Sequence, residues 1–321
     1  MSTDATSILD GLGGRSCPVC TAPESRATPF LSASVDPARI GTFSFASRKL
    51  PEYMSFRLVR CLGCETVYAA EAPSAEVLAH AYAAADYDSA EEAVHAARTY
   101  GEALGSKLDG VGRDGAALEI GTGTGIFLRE LQRLGFGEII GIEPSHAAVD
   151  AAPPELRDLI RVGVFNPADH APESLSLVTC FQTLEHVPDP SALTRAAYDL
   201  LSPGGAIAFV THDYRAPINR LLRRRSPIID IEHMQLFCGS SLHRLLSDGG
   251  FEAIDIGAIR NVYPLRYWLR LLPVPARLKA AAIAGADAVG IGGRLIGINV
   301  GNLLTVARKP LRQTEPPRSA T

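Results

Sequence analysis

The chain has 321 residues, 46% of them hydrophobic and 21% charged, which is enough for one α/β domain of ordinary size and a smaller module beside it. A formal net charge of -4 and a pI near 6.1 give no overall electrostatic reason to expect nucleic acid as partner, because phosphate binding needs a surplus of Lys and Arg. Met1 to Gly14 holds no apolar run behind positive charge, and no stretch of about 18 uncharged apolar residues exists to span a bilayer, so the expected location is cytoplasmic.

Residues 1–16 are small, polar and Gly-rich, too poor in apolar surface to offset the entropy of ordering, and are expected to be a disordered tail. Residues 17–70 carry Cys17-Pro-Val-Cys20 and Cys61-Leu-Gly-Cys64, two knuckles 40 residues apart. A two-residue gap lets both thiolates of a knuckle face one ion. Two knuckles complete a tetrahedral Cys₄ zinc site, structural because no coordination position stays open. Metal binding also supplies folding free energy to a segment with little core of its own. Phe43, Phe45, Tyr53 and Phe56 in the insert between the knuckles suit a hairpin or a substrate contact. Cys180 and Cys238 read as buried inert thiols. Residues 71–112, Ala-rich with helical apolar spacing, read as a helical linker.

From 113 to 309 short apolar runs alternate with helical segments, which predicts an α/β fold: a doubly wound, mostly parallel seven-stranded sheet. Strands are expected near 116–120, 138–143, 160–164, 175–181, 205–211, 252–258 and 301–308, and helices over 125–135, 145–151, 190–201 and 239–249. A helical cap of about 260–299 interrupts the last two strands, and 310–321 form a second disordered tail.

Ala117 to Leu128 run from an apolar strand through Gly121, Gly123 and Gly125 into a helix. Glycine lets the main chain turn sharply and lets a ligand approach it closely. The spacing is Gly-x-Gly-x-Gly, with Ile126 where a dinucleotide fingerprint places its third glycine, so a nicotinamide cofactor is disfavoured. Glu119, inside the strand end, suits the cationic end of a cofactor. Glu143 ends the next strand, where an acid accepts both ribose hydroxyls in such sheets, unless it is only solvated.

Four motifs occur in order: Leu118-Glu-Ile-Gly-Thr-Gly-Thr-Gly125, Gly141-Ile-Glu-Pro-Ser145, Leu184-Glu-His-Val-Pro-Asp-Pro190 and Leu201-Ser-Pro-Gly-Gly205. As a set they resemble the class I S-adenosylmethionine-dependent methyltransferases, over roughly 116 to 258 and the final strand. The resemblance implies a Rossmann-like methyltransferase fold with S-adenosylmethionine as cofactor. Glu119, Gly121, Gly123 and Gly125 would hold its methionine part, Glu143 its ribose, and the region of Phe165 its adenine. Thr122, Pro144, Asn166, Phe181 and Gln182 complete the expected cofactor set. Asn166 stands where the family commonly has an Asp. The zinc ribbon with Val67-Tyr68 and the Tyr82 to Tyr87 stretch is similar to bacterial methyltransferases of sugar, polysaccharide or natural-product pathways, which implies a small-molecule, sugar or glycan acceptor.

Methyl transfer from a sulfonium is a displacement in which alignment supplies most of the catalysis, and a base is needed only where the acceptor loses a proton. His233, before a helix, is the first candidate for acceptor contact or base. His186 and His212, at the carboxyl ends of their strands, are the other two. Each also suits a packing or capping role. Residues 260–283 combine Tyr263, Tyr267 and Trp268 with five basic residues and no acid, which fits a packed cap, a lid over the acceptor, or peripheral contact with an anionic membrane. Arg223, Arg224 and Arg225 fit a solvated face or a phosphate-bearing acceptor. RNA methylation and a non-catalytic cofactor-binding scaffold are the competing readings. No Asn/Asp-Pro-Pro-Tyr amine site follows the fourth strand, where Phe181-Gln-Thr-Leu184 stands instead.

Overall fold

The computed structural model describes residues 5–46, 52–88, 90–272 and 274–312. The outer parts of the two expected tails, 1–4 and 313–321, lie outside the described residues. In chain order the first half comprises α1 (Ala5–Asp10), β1 (Gly13–Gly14), β2 (Ala27–Leu31), β3 (Leu58–Cys61), β4 (Val67–Ala69), β5 (Glu71–Ala72), α2 (Ala75–Ala83), α3 (Ala90–Gly105), β6 (Ala116–Ile120), α4 (Ile126–Arg133), β7 (Ile139–Glu143), α5 (His146–Asp150), α6 (Pro154–Arg157) and β8 (Ile160–Val162). There follow β9 (Leu175–Phe181), α7 (Pro190–Leu200), β10 (Leu201–His212), α8 (Pro217–Leu222), β11 (Gln235–Leu236), α9 (Gly239–Asp248), β12 (Glu252–Pro264), α10 (Leu265–Leu271), α11 (Ala276–Ala288) and β13 (Leu295–Arg308).

The main sheet has seven strands in the order β12-β13-β10-β9-β6-β7-β8. Neighbours from β10 to β8 pair in parallel, and β13 runs antiparallel to both of its partners. β6 and β9 are buried at every position, as expected of strands covered on both faces. The strand order reverses direction beside β6, between β9 and β7. Ligands of open α/β sheets bind at such a switch point, outside the carboxyl ends of the strands.

Three sequence expectations need correction. The tail expected over 1–16 is ordered from Ala5 within the described residues: Ile8 is 1% exposed and packs with Phe45, Met54 and Leu78, while β1 pairs with β5. Its apolar partners lie far off in sequence, so local composition could not register them. The ribbon is also not a separate module. β11, from the far side of the catalytic region, adds an antiparallel strand to β4, giving a sheet ordered β11-β4-β3-β2. Cys17, Cys61 and Cys64 share one buried cluster with Phe237 and Leu242. Lastly, the insertion is helical only between its strands. β12 and β13 extend as a hairpin out to Pro264↔Leu295, carrying α10 and α11 at the tip, because Val262, Tyr263, Ile296 and Ile298 suit strand better than helix. No helix among the described residues is long and apolar enough to cross a membrane.

Candidate functional site

The glycine loop leaves β6 with three left-handed residues, Gly121, Gly123 and Gly125, at φ of 76°, 57° and 72°. At Gly121 a Cβ would lie 2.3 Å from Thr183 Oγ1, and at Gly125 2.9 Å from Ile160 Cδ1, whereas a Cβ at Gly123 would meet nothing within 4 Å. The outer glycines therefore let the loop close on the sheet, and the middle one leaves open space for a ligand. The loop turns into α4, whose N-cap is Gly125.

Glu143, at the end of β7, accepts from the Gly123 and Ser145 backbone N–H groups, both at 2.8 Å. One lone pair on each oxygen remains for a hydroxyl. Burial raises its pKa, against the pull of those two N–H donors. Glu119 is 3% exposed and accepts from the Thr122 hydroxyl. Burial pushes Glu119 up to about 8, with Glu143 adding like-charge repulsion.

These residues line one end of a cavity of about 1070 Å³. Thr122, Pro144, Phe165, Phe181 and Gln182 line it as well. Phe181 is held edge-on by Phe127 and Tyr100, and the Gln182 Nε2 is buried without a partner. Gly125 supports the loop from behind rather than lining the cavity. Asn166 does not reach it: its amide caps the turn over Pro167–Asp169, accepting from Ala168 N at 3.2 Å and donating to Asp169 at 3.1 Å. A short polar side chain before a proline-led turn is consumed locally.

His186, His212 and His233 meet at the other end. Ring centroids lie 4.9 Å apart for His186 and His233, and 5.5 Å apart for His212 and His233. Each donates its Nδ1–H to an oxygen: His186 to Glu232 O at 3.0 Å, His233 to Ile228 O at 2.9 Å, and His212 to Asn302 Oδ1 at 2.9 Å. Carbonyl oxygens only accept, so the tautomers are set and Nε2 is the basic nitrogen of each ring. Burial holds His212 down to about 4, hence neutral at physiological pH. Among the described residues the three rings do not form a group able to share a metal ion.

Residues without a motif also complete the site. Asn302 Nδ2 donates to Asn261 Oδ1 at 3.0 Å, continuing the chain from His212 into the hairpin. Tyr82 stands edge-on to His186 and donates to Glu232 O at 3.3 Å. The segment after Ile231 is anchored by Gln235, whose amide donates to Leu184 O and Val187 O at 2.8 Å each. Glu185, four residues past the end of β9, is fully buried. Its Oε1 accepts from His212 N at 2.7 Å, its Oε2 has no partner, and burial pushes its pKa up to about 7. The Asn302 and Asn261 pair, buried in the structure, carries no motif in the sequence.

The four ribbon cysteines form a second centre. Their Sγ atoms all lie within 4.8 Å of one another, with Cys17 to Cys64 at 3.4 Å and Cys20 to Cys61 at 3.5 Å. Disulfide bonding would need about 2.05 Å, and all six cysteines are free. Tetrahedral zinc with bonds of about 2.3 Å sets sulfurs about 3.8 Å apart, so the donor set fits that ion. Each knuckle closes alike: Thr21 N donates to Cys17 O, Glu65 N donates to Cys61 O, and Thr21 and Glu65 take φ of 58° and 67°. Gly63 N donates to Cys61 Sγ at 3.3 Å. Burial first and neighbouring thiols second push Cys20 up to about 11, so holding four thiolates together calls for a cation.

A family model described as a methyltransferase domain matches residues 94–256. The ubiquinone biosynthesis O-methyltransferase of Pseudomonas savastanoi is 35% identical over 102 residues, covering 29% of this chain and 43% of that protein. The Psychrobacter arcticus protein of the same name is 30% identical over 174 residues, covering 47% of this chain and 65% of its own. The match thus spans less than two thirds of either relative. Geranyl diphosphate C-methyltransferase from Streptomyces coelicolor superposes with a TM-score of 0.45 at 16% identity, over 66% of this chain and 79% of its own. Residues 94–256 are 163 of 321, just over half of the chain, and the chain belongs to the methyltransferase-domain family.

Proposed function

We propose that the chain is an S-adenosylmethionine-dependent methyltransferase acting on a hydroxyl of a small molecule. The observation that carries this is the single cavity running from the glycine loop and Glu143 to the three histidines. Ligand pockets measure about 300–1,000 Å³, so about 1070 Å³ leaves room for an acceptor beside a cofactor. The cofactor would be held by Glu143 at its ribose, by the Gly121–Gly123 backbone and Glu119 at its methionine end, and by Phe165 beside its adenine. When bound it supplies an electrophilic methyl group.

His212 is assigned as base. Its Nδ1–H is committed to Asn302, so Nε2 is the atom that would take up the proton an acceptor hydroxyl loses. His186 and His233 shape the acceptor's surroundings. Tyr82, Tyr100, Tyr267 and Trp268 line this end and suit a planar or apolar acceptor body, a sugar ring included. The relatives' name, ubiquinone biosynthesis O-methyltransferase, agrees with a small-molecule acceptor. Free cysteines agree with a reducing, cytoplasmic setting.

Isothermal titration of zinc-loaded protein with S-adenosylmethionine and S-adenosylhomocysteine tests the reading. Micromolar binding that Glu143→Ala weakens by at least about 10-fold supports it, and binding of neither ligand overturns it. Tight binding with no turnover across an acceptor panel would favour the scaffold reading.

A further inference from the structure

Two stretches distant in sequence expose apolar side chains beside the same cavity. Eight of the nineteen large apolar side chains exposed among the described residues lie between 271 and 298, led by Val289 at 69% and Leu278 at 60%. On α8, Leu221 is 77% exposed and Ile218 39%. α8 packs against β13, and α10 against α11. Asn219 and Pro227 from the first stretch and Tyr267, Leu271 and Val300 from the second all line the cavity. Monomeric soluble proteins rarely gather so much exposed apolar surface without using it.

Charge accompanies the apolar residues. From 214 to 229 there are five arginines and no acid; from 256 to 300 there are six basic residues and only Asp287 as acid. Arg223, Arg224, Arg266, Arg277 and Arg294 are exposed, and no ion pair holds them among the described residues. A chain of net charge -4 has therefore gathered cations on the two stretches that border its cavity, and Arg270 and Lys279 line the cavity itself. Exposed leucines flanked by arginines match the interface of an anionic bilayer, where acyl chains receive the former and headgroups the latter. A second copy would set two surfaces of the same sign against each other, and a polyanion such as RNA would leave the leucines in water.

We propose that the mouth formed by α8, α10 and α11 docks on an anionic lipid surface, and that the acceptor is an amphiphile entering the cavity from that surface. The acceptor half of this rests on the methyl-transfer reading; the docking half does not.

The test is co-sedimentation of the zinc-loaded full chain with vesicles of phosphatidylcholine alone, and of phosphatidylcholine mixed with phosphatidylglycerol. Binding is expected only to the anionic vesicles, weakening as salt rises. Arg223→Ala with Arg224→Ala should weaken it about 30-fold, at roughly a fivefold loss per cation. Leu221→Asp with Leu278→Asp should abolish it. These side chains are exposed, so melting temperature and cofactor titration should not change. No binding to anionic vesicles overturns the proposal. So does concentration-dependent dimerisation lost in the same leucine variants, or binding to soluble RNA without binding to vesicles. Vesicle binding by a protein that binds no cofactor would overturn the methyl-transfer reading and leave docking intact.

Discussion

His212 Nδ1 and Asn302 Oδ1 lie 2.9 Å apart, joining the carboxyl end of β10 to the neighbouring antiparallel strand 90 residues on. The amide oxygen fixes which ring nitrogen carries the proton, and the Asn302 Nδ2 bond to Asn261 fixes the amide. Asn302→Leu should therefore lower kcat by about 10- to 100-fold with little change in the KM for cofactor, and His212→Ala should lower it by about 100-fold or more. With His212 held down to about 4, its base form persists above that value. The wild-type contribution of this group to the kcat profile should stay flat from pH 6 to 8 and fall only in acid. A base limb near pH 6.5 would remove His212 from the role.

Glu143 offers the carboxylate to a ligand while its oxygens are already steered by Gly123 N and Ser145 N. Hydrogen bonds to a charged group contribute about 1.5–3 kcal/mol each. Glu143→Ala should thus weaken S-adenosylmethionine binding by at least about 10-fold in calorimetric titration. Glu143→Gln, which keeps an acceptor oxygen, should fall between the two.

Zinc removal should not melt the ribbon alone. Because Cys17, Cys61 and Cys64 share a buried cluster with Phe237 and Leu242, a strong chelator, or Cys20→Ser, should lower the melting temperature of the whole chain in one transition. Metal analysis should find one zinc per chain in wild type. Two separated transitions, with cofactor binding intact after the first, would contradict this coupling.

Glu185 gives the fold a pH dependence of known sign. Burial raises its pKa in the folded chain to about 7 from the ordinary value of 4.5. The folded state therefore favours the protonated form. That stabilisation is fully present below about pH 4.5 and is lost as pH rises through 7. Glu185→Gln keeps the acceptor for His212 N and carries no charge. Relative to this variant, the wild type should lose roughly 1–3 kcal/mol between pH 5 and 8, read from denaturant melts at the two pH values. Equal stability differences at both would show that Glu185 stays ionised in the fold.

Local order in the sequence determined much of this protein. Largely apolar runs specified β6, β7 and β9 nearly to the residue, since a strand covered on both faces is mostly apolar along its length. Glycines at alternate positions announced left-handed turns, and cysteines paired across two residues announced two knuckles whose four thiols come together. The acid closing β7 was legible for the same reason: strand ends mark themselves, and function sits there. Tertiary structure alone decided which distant pieces meet. Nothing near Gln235 says that it will bond to the 184–187 loop and carry β11 onto the ribbon, nor does the sequence around Ile8 reveal its partners across the chain. Asn302 acquires its meaning only from His212 across a strand pair, and Asn166 lost its expected role to a turn two residues away. Pattern within a strand or helix reports what each element buries, whereas the identity of its neighbour depends on shape and hydrogen bonding across separations that no local period encodes.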